Sequence, residues 1–326
     1  IGKQYGMVQL IQLSHPGRQC PKGLNKETVS ASAVPFSPML ATTFGTPREL
    51  REDEILDIIQ RFATSAKICE KAGFEGVQLH GAHGYLISQF LSPLTNKRQD
   101  QWGGSIENRM RFLLEIYQAV RAATSEQFII SVKLNSADFQ RGGITEDEVI
   151  TVFKAIDEAG IDLIEISGGT YEAPAMAGAK ADKRKVSTIA REAYFLDFAE
   201  KIRKQVKCHL MVTGGFRTVK GMNAALDSGA CEFIGIARPL AVETDLTDRL
   251  IAGQDVRYAV NNIKTGIPMV DKMAIMEIIW YAAQFKDIAQ GKRPNPKLSP
   301  LKVFLKYAKG NITAMIKGRV NSRRSA

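Results

Sequence analysis

The sequence lacks any long apolar run. Among its 326 residues the longest candidate, residues 274–283, is interrupted by Glu277. A membrane-spanning helix needs about 18 or more consecutive apolar residues, so no integral membrane segment is expected. The start, IGKQYG, also lacks a basic flank, an apolar core and an initiator Met. It therefore predicts neither a signal peptide nor a natural N-terminus, and residues upstream of Ile1 are expected.

Cysteine is scarce and its spacing is irregular. The four cysteines are Cys20, Cys69, Cys208 and Cys231, and none of them forms a CxxC pair. This spacing argues against a structural zinc site and against a disulfide framework in a chain of this length. The expected setting is therefore reducing and cytoplasmic.

Positive charge is in excess but unevenly distributed. The formal net charge is +10, and residues 300–326 carry seven Lys or Arg and no acidic residue, which leaves about +3 for the rest. The main body of the chain therefore gives no indication of a nucleic acid partner. An apolar fraction of 44% with 24% charged residues is the balance of a globular protein with a large core.

What the sequence does contain is a repeated pattern of a short apolar run, a loop and a helical stretch, which is typical of βα alternation. The six predicted strands are residues 8–13, 76–80, 129–134, 163–167, 209–213 and 233–236. Their near-continuous apolar composition predicts burial on both faces, as in a parallel sheet covered by helices. Helices are predicted over residues 52–72 and from a capping box of Thr145 and Glu148 to Gly160.

Glycines and polar residues cluster just after the predicted strands, in HGAHGY, NSADF, SGGTY, TGGF and ARP. Strand ends build the active site of a (β/α)8 barrel in this way, whereas a doubly wound sheet concentrates ligand contacts at one switch point. The sequence therefore favours the α/β class and a (β/α)8 TIM barrel. Because a barrel needs eight strands, strands 1 and 2 are predicted to lie upstream of residue 1. Residues 1–290 are assigned to the barrel and residues 291–326 to a basic amphipathic C-terminal extension.

The segment with most chemistry is GVQLHGAHGYL, in which a buried strand ends in His80 and a glycine-containing loop carries His83 and Tyr85. Two neutral imidazoles can each donate an N–H to a carbonyl oxygen, and a phenol can deliver a proton. This set suits the polarisation of an enone. The residues alone leave two alternatives open, namely histidines bonded to nearby backbone carbonyls and an H-x-x-H metal pair, although no third ligand stands out at another strand end.

This segment and the one after it, F-L-S-P-x-x-N-x-R-x-D-x-x-G-G-S-x-E-N-R, resemble the old yellow enzyme family of FMN-dependent oxidoreductases. The resemblance continues through QLSHPGR, VKLNSADF, EISGGTYE, VTGGF and IARP and covers the chain to about residue 290. It implies a (β/α)8 barrel that binds FMN and uses NAD(P)H as hydride donor.

The resemblance also implies roles for individual residues. His80 and His83 match the pair that holds the substrate's carbonyl oxygen, and Tyr85 matches the residue that protonates the carbon α to it. Gln12 matches a glutamine bonded to the edge of the flavin ring. Lys133 stands where many members have Arg beside flavin N1 and the C2 carbonyl, and its positive charge suits the reduced ring although it lacks the bidentate fork of Arg.

A phosphate site is expected after the seventh and eighth barrel strands, from TGGFR and IGIARP. Gly214 and Gly215 would offer backbone N–H groups, and the Ala237 N–H and Arg238 would complete the site. Paired glycines on their own also occur in ordinary tight turns. The prediction therefore depends on finding both loops, TGGFR and then IGIARP, after consecutive strands.

The predicted function is therefore an FMN oxidoreductase that takes hydride from NAD(P)H at flavin N5 and gives it to the β carbon of an α,β-unsaturated carbonyl compound. Two alternatives stay open, namely a flavin-free phosphate-binding barrel lyase or isomerase and a non-catalytic truncated homologue. The partner is a small-molecule enone or enal. The C-terminal residues 301–316 show apolar positions at helical spacing, and packing on the barrel or on a second subunit of a homo-oligomer is expected in preference to an acidic membrane.

Overall fold

The computed structural model describes residues 2–38, 40–138, 140–169, 195–258, 263–271 and 275–310. The chain divides into two compact units. The first comprises residues 1–216 and 223–235, and the second comprises residues 217–222 and 236–326. The parts of the predictions that fall on Phe139, on residues 170–172 of EISGGTYE and on the tail beyond residue 310 lie outside the described residues.

The first unit is built around a six-stranded parallel sheet. Its strands are β1 (Leu10–Leu13), β4 (Gly76–Gly81), β5 (Ile129–Asn135), β6 (Leu163–Ser167), β7 (His209–Thr213) and β8 (Phe233–Gly235), paired in that order. A small parallel pair, β2 (Val29–Ser30) and β3 (Arg48–Glu49), lies between the first two strands in the chain. Each of the six predicted strands is present within two residues of its expected bounds, and pairing in chain order is the arrangement of a barrel wall.

The register divides the residues of the sheet between two different faces. Gln12 pairs with Gln78, His80 with Lys133, and Lys133 with Glu165. Because successive side chains in a strand alternate between faces, these five polar residues share one face. The other face carries Ile11, Val77, Leu79, Ile130, Val132, Leu134, Ile164, Ile166, Leu210 and Val212. The strands are therefore apolar on one face and polar on the other, although β6 is buried along its whole length as expected, and the polar face is where chemistry can be placed.

Helices follow the strands, and several of them pack against the sheet. They are α1 (Glu52–Lys71), α2 (Leu86–Leu91), α3 (Ile106–Ala123), α4 (Glu146–Glu158), α5 (Leu196–Arg203) and α6 (Val219–Asp227). Helix α1 buries Ile55, Ile59 and Phe62 on one side and packs against α3 and β4. The predicted capping box is present, since Thr145 Oγ1 accepts from Glu148 N and Glu148 Oε2 accepts from Thr145 N at 2.9 Å.

The second unit is helical, with α7 (Leu246–Ile251), α8 (Pro268–Asp271), α9 (Ile275–Ala289) and a further helix over residues 300–310. Trp280 is buried in its core beside Val303, and the indole N–H donates to the Leu298 carbonyl at 2.9 Å. Gln284 makes two 2.8 Å bonds to the backbone of Asn295. These contacts join α9 to the segment after residue 290. The boundary that the sequence analysis placed between residues 290 and 291 stays a prediction. Within the described ranges, no helix has the length and apolar character needed to cross a membrane.

Candidate active site

His80, His83 and Tyr85 come together at the C-terminal end of β4. The rings of His80 and His83 have centroids 5.2 Å apart at 87°, and those of His80 and Tyr85 lie 4.7 Å apart at 53°. The strand places His80, while the loop returns Tyr85 to the start of α2, where it is the N-terminal flanking residue. The three side chains that the sequence singled out therefore share one site.

The loop reaches this geometry through an unusual backbone conformation at His83. Its φ is 58°, the left-handed region that residues other than glycine rarely adopt, and Gly84 follows at φ 76°. Specific bonds hold the residue there: its N–H donates to Asn135 Oδ1 at 3.2 Å, and its carbonyl accepts from Gln19 Nε2 at 3.0 Å. Such backbone strain persists only where surrounding structure fixes it, and it is concentrated at functional sites.

The hydrogen-bond partners of the two imidazoles are a backbone N–H and a serine hydroxyl, whereas one alternative from the sequence was bonding to backbone carbonyls. The Ala82 N–H donates to His80 Nδ1 at 3.4 Å, so a neutral His80 carries its proton on Nε2. His83 Nε2 lies 2.8 Å from Ser167 Oγ at the end of β6. If the serine hydroxyl donates, the His83 proton is on Nδ1. Each ring then keeps one N–H donor.

Both histidines are held in the neutral form. Burial, with the positive charge of Lys133 as a further cause, lowers the pKa of His80 to about 3 and that of His83 to about 4. For His80 the neighbouring His83 also contributes, and for His83 the carboxylate of Glu165 acts in the opposite direction. At neutral pH the site therefore presents two uncharged imidazoles.

A buried glutamine fixes the start of the loop. Gln89 Nε2 donates to the Gly84 carbonyl at 2.7 Å and to the Pro16 carbonyl at 3.2 Å, while its Oε1 accepts from Arg18 N and Ser30 Oγ. This amide uses both its donors and its acceptor inside the protein. It ties the loop of His83 and Tyr85 to the segment that follows β1.

Across the polar face of the sheet runs a chain of side-chain bonds that contains two of the predicted flavin residues. Gln12 Nε2 donates to Gln78 Oε1 at 2.7 Å, and Gln78 Nε2 donates to Glu165 Oε2 at 2.9 Å. The other carboxylate oxygen, Oε1, lies 2.8 Å from Lys133 Nζ. Burial disfavours the charge on Glu165, but Lys133 and the hydrogen bonds outweigh burial, so the pKa of this carboxyl lies below its usual range.

Sequence reasoning missed Glu165, Gln78 and Ser167. Glu165 could have been found from the sequence, because burying a charged residue in the middle of the apolar run LIEIS costs free energy unless the charge is paired. Lys133 interrupts the preceding strand, IISVKLN, in the same manner. Two opposite charges in neighbouring parallel strands would have suggested the pair.

The predicted phosphate residues fall in different units. Gly214 and Gly215 follow β7 in the first unit and both have positive φ, 108° and 101°. Ala237 and Arg238 belong to the second unit, where Arg238 Nη1 lies 3.0 Å from Glu277 Oε2. Among the described residues, no group of three or more His, Cys, Asp or Glu could hold a metal ion.

Comparison with known proteins places this site in a family. The sequence model of the NADH:flavin oxidoreductase / NADH oxidase family matches residues 2–256. The chain belongs to this family. The resemblance to old yellow enzymes noted in the sequence is thereby confirmed, and the chain is an NAD(P)H-dependent flavin oxidoreductase. This assignment argues against the flavin-free lyase or isomerase.

Individual relatives of this flavin oxidoreductase are fungal and bacterial. The NADH-dependent flavin oxidoreductase iccE of Talaromyces variabilis is 36% identical over 319 residues, covering 90% of this chain and 77% of that protein. For nadA of Aspergillus parasiticus the identity is 40% over 253 residues, 76% of this chain and 55% of nadA. The structure of the old yellow enzyme homologue from Zymomonas mobilis superposes with a TM-score of 0.65 at 27% identity, covering 82% and 71% of the two chains. This likeness confirms the predicted α/β barrel class.

The residues of the oxidoreductase suit an FMN ring and its phosphate. Gln12 is exposed on the polar face and its amide offers both donor and acceptor groups, while Lys133 supplies a cation there. Two successive glycines with positive φ form the kind of turn whose backbone N–H groups bind anions. The donors of the first unit, namely an amide, a cation and two backbone N–H groups, therefore fit the cofactor.

Proposed function

We propose that this flavin oxidoreductase reduces the activated C=C bond of α,β-unsaturated aldehydes and ketones. The observation that carries the proposal is the cluster of His80, His83 and Tyr85, with ring centroids 4.7 to 5.2 Å apart. Two neutral N–H donors and one phenolic proton donor are what an enone needs at its oxygen and at its α carbon.

The two imidazoles act on the carbonyl oxygen in this proposal. Neutral N–H donors stabilise negative charge that develops on that oxygen, and burial strengthens their effect because water does not compete. Their low pKa values, about 3 and about 4, keep them uncharged, so they do not protonate the oxygen outright at neutral pH. Ser167, bonded to His83, holds that ring in orientation.

Tyr85 delivers the proton to the α carbon. Its position at the start of α2, beside His80, keeps the phenol within the same site as the oxygen-binding pair. General acid catalysis by a positioned side chain contributes about 10²-fold to 10⁴-fold in rate.

Bound FMN would supply the hydride chemistry that links NADH or NADPH to the β carbon of the acceptor. Gln12 and Lys133 are the residues proposed to hold the ring, and the backbone N–H groups of Gly214 and Gly215 are proposed for the phosphate. The roles expected of Ala237 and Arg238 stay predictions from the sequence. Lys133 would place its positive charge where reduction adds electrons.

The decisive experiment separates the two half-reactions in the Tyr85→Phe variant. Stopped-flow reduction of the bound flavin by NADH should proceed at the wild-type rate, while reoxidation by 2-cyclohexenone should slow by about 10²-fold or more. Tyr5→Phe is the matched control, since Tyr5 is 80% exposed. Equal slowing of both half-reactions would contradict the role of Tyr85. A wild-type flavin that NADH reduces but no enone reoxidises would contradict the proposed substrate class, and a flavin that NADH does not reduce would favour the non-catalytic homologue.

A further inference from the structure

The ion pair between Lys133 and Glu165 lies on the polar face of the sheet, beside the cluster of His80, His83 and Tyr85. Only 16% of the Lys133 side chain and 7% of the Glu165 side chain are exposed, and their charged atoms are 2.8 Å apart. At this burial each charge acts strongly on its neighbours, because less water is present to screen it than at the surface.

Glu165 is fixed from two sides. One carboxylate oxygen bonds Lys133, and the other accepts from Gln78, whose own amide oxygen accepts from Gln12. Gln78 Nε2 also lies 3.3 Å from Ser131 Oγ. The carboxylate thus stands at the centre of a bonded chain whose two ends, Gln12 and Lys133, are the residues proposed to hold the flavin ring.

We infer that Glu165 is a positioning residue that sets the reduction potential of the bound flavin through Lys133. The inference rests on the proposed place of Lys133 beside the ring. A lysine cation there favours the reduced flavin, which carries added negative charge, and a carboxylate 2.8 Å from that cation cancels part of its field. Glu165 therefore holds the ammonium group in place and keeps the flavin a stronger hydride donor than Lys133 alone would leave it.

The test uses flavin-loaded protein and measures the midpoint potential at pH 7 by spectroelectrochemical titration in four forms: wild type, Glu165→Gln, Lys133→Met and the double variant. In Glu165→Gln the potential should become more positive, with the reduction equilibrium shifted at least tenfold, which is about 30 mV for a two-electron couple. In Lys133→Met it should become more negative. Adding Glu165→Gln to Lys133→Met should give a clearly smaller shift than in the wild-type background, because without Lys133 burial disfavours the charge on Glu165 and the substitution then removes less charge.

The outcomes separate the proposed role of Lys133 from the inferred role of Glu165. If Lys133→Met leaves the potential unchanged, Lys133 does not act on the flavin, and that part of the proposed function fails. If Lys133→Met lowers it while Glu165→Gln leaves it unchanged or lowers it, only the role of Glu165 is overturned. An equal shift from Glu165→Gln in both backgrounds also overturns the role, because the effect then bypasses Lys133.

A second variant covers the case in which Glu165→Gln does not load flavin. Glu165→Asp keeps the buried carboxylate but shortens the side chain by one methylene, so the charge withdraws from Lys133. Its potential should shift in the same direction as expected for Glu165→Gln and by a smaller amount. A potential equal to or below that of the wild type would then overturn the inference.

Discussion

Acidification should destabilise the protein through histidines whose pKa is lowered in the folded state, and the half-buried His83 gives the clearest case. Its ordinary pKa of 6.5 falls to about 4 in the folded protein, chiefly because of burial and then because of Lys133. Between these two values the unfolded chain binds more protons than the folded one. The stabilisation is therefore complete above pH 6.5 and is lost as the pH falls towards 4.

The magnitude follows from the shift. Each unit of pKa difference corresponds to about 1.4 kcal/mol. Between pH 7 and pH 4.5 the difference in protons bound by the unfolded and folded states, integrated over pH, comes to nearly two pH units. His83 alone should therefore cost roughly 2.5 kcal/mol of unfolding free energy over this interval. Burial lowers the pKa of His15 to about 4 as well, so the wild type should lose more than this in total.

The assay is urea unfolding of the wild type and of His83→Asn at pH 7 and at pH 4.5. Asn does not titrate, so the loss between the two pH values should be smaller in the variant by roughly 2.5 kcal/mol. His209→Asn, at an exposed histidine, is the control and should show the wild-type loss. If His83→Asn loses as much stability on acidification as the wild type, the reasoning about buried neutral histidines is refuted.

Two further predictions concern stability. Arg109→Met removes a buried guanidinium that bonds Glu148 and the Leu91 carbonyl, and thermal unfolding should show a loss of about 1 to 3 kcal/mol, because the buried carbonyl and the partly exposed Glu148 lose their partner. Gly76→Ala would place a methyl group 2.2 Å from the Ile129 carbonyl oxygen inside the sheet. We expect a loss of roughly 1 to 3 kcal/mol, or more, in the same measurement.

Each of these two variants has a matched control variant at another position in the chain. Arg111 lies on the same helix as Arg109 and bonds the Gln101 carbonyl at an exposed site, so Arg111→Met should change stability by less than about 1 kcal/mol. An added methyl group at Gly45 would meet its nearest neighbours at 3.8 Å, an ordinary contact, and Gly45→Ala should be tolerated. A buried-site variant no less stable than its counterpart would contradict the corresponding argument.

The sequence was sufficient for features that depend on local pattern. Apolar runs located the six strands, and the spacing of Thr145 and Glu148 predicted a capping box that the structure contains. The proximity of His80, His83 and Tyr85 was also predictable, because all three lie within six residues at the end of one strand. In such cases the residues that contact one another are close together in the sequence.

The remaining features depend on register between distant strands. Lys133 and Glu165 are paired only because β5 and β6 align at this position, and a shift of one residue would move one of them to the opposite face. Apolar composition alone does not specify that register. For the same reason the partners of His83, Asn135 on one strand and Ser167 on the next, could not be read from the loop that carries it.

Lys133 connects the electrostatics of the candidate site. Its charge lowers the pKa of His80 and His83, while the carboxylate of Glu165 raises that of His83. In the proposed arrangement, a lysine without its partner would make His83 still harder to protonate and would favour the reduced flavin more strongly, so the transfer of hydride to the acceptor would be less favourable. The paired arrangement keeps both histidines neutral through burial while moderating the cation. On this argument the carboxylate of Glu165 keeps the flavin a good hydride donor, and burial keeps both histidines neutral for binding the carbonyl oxygen.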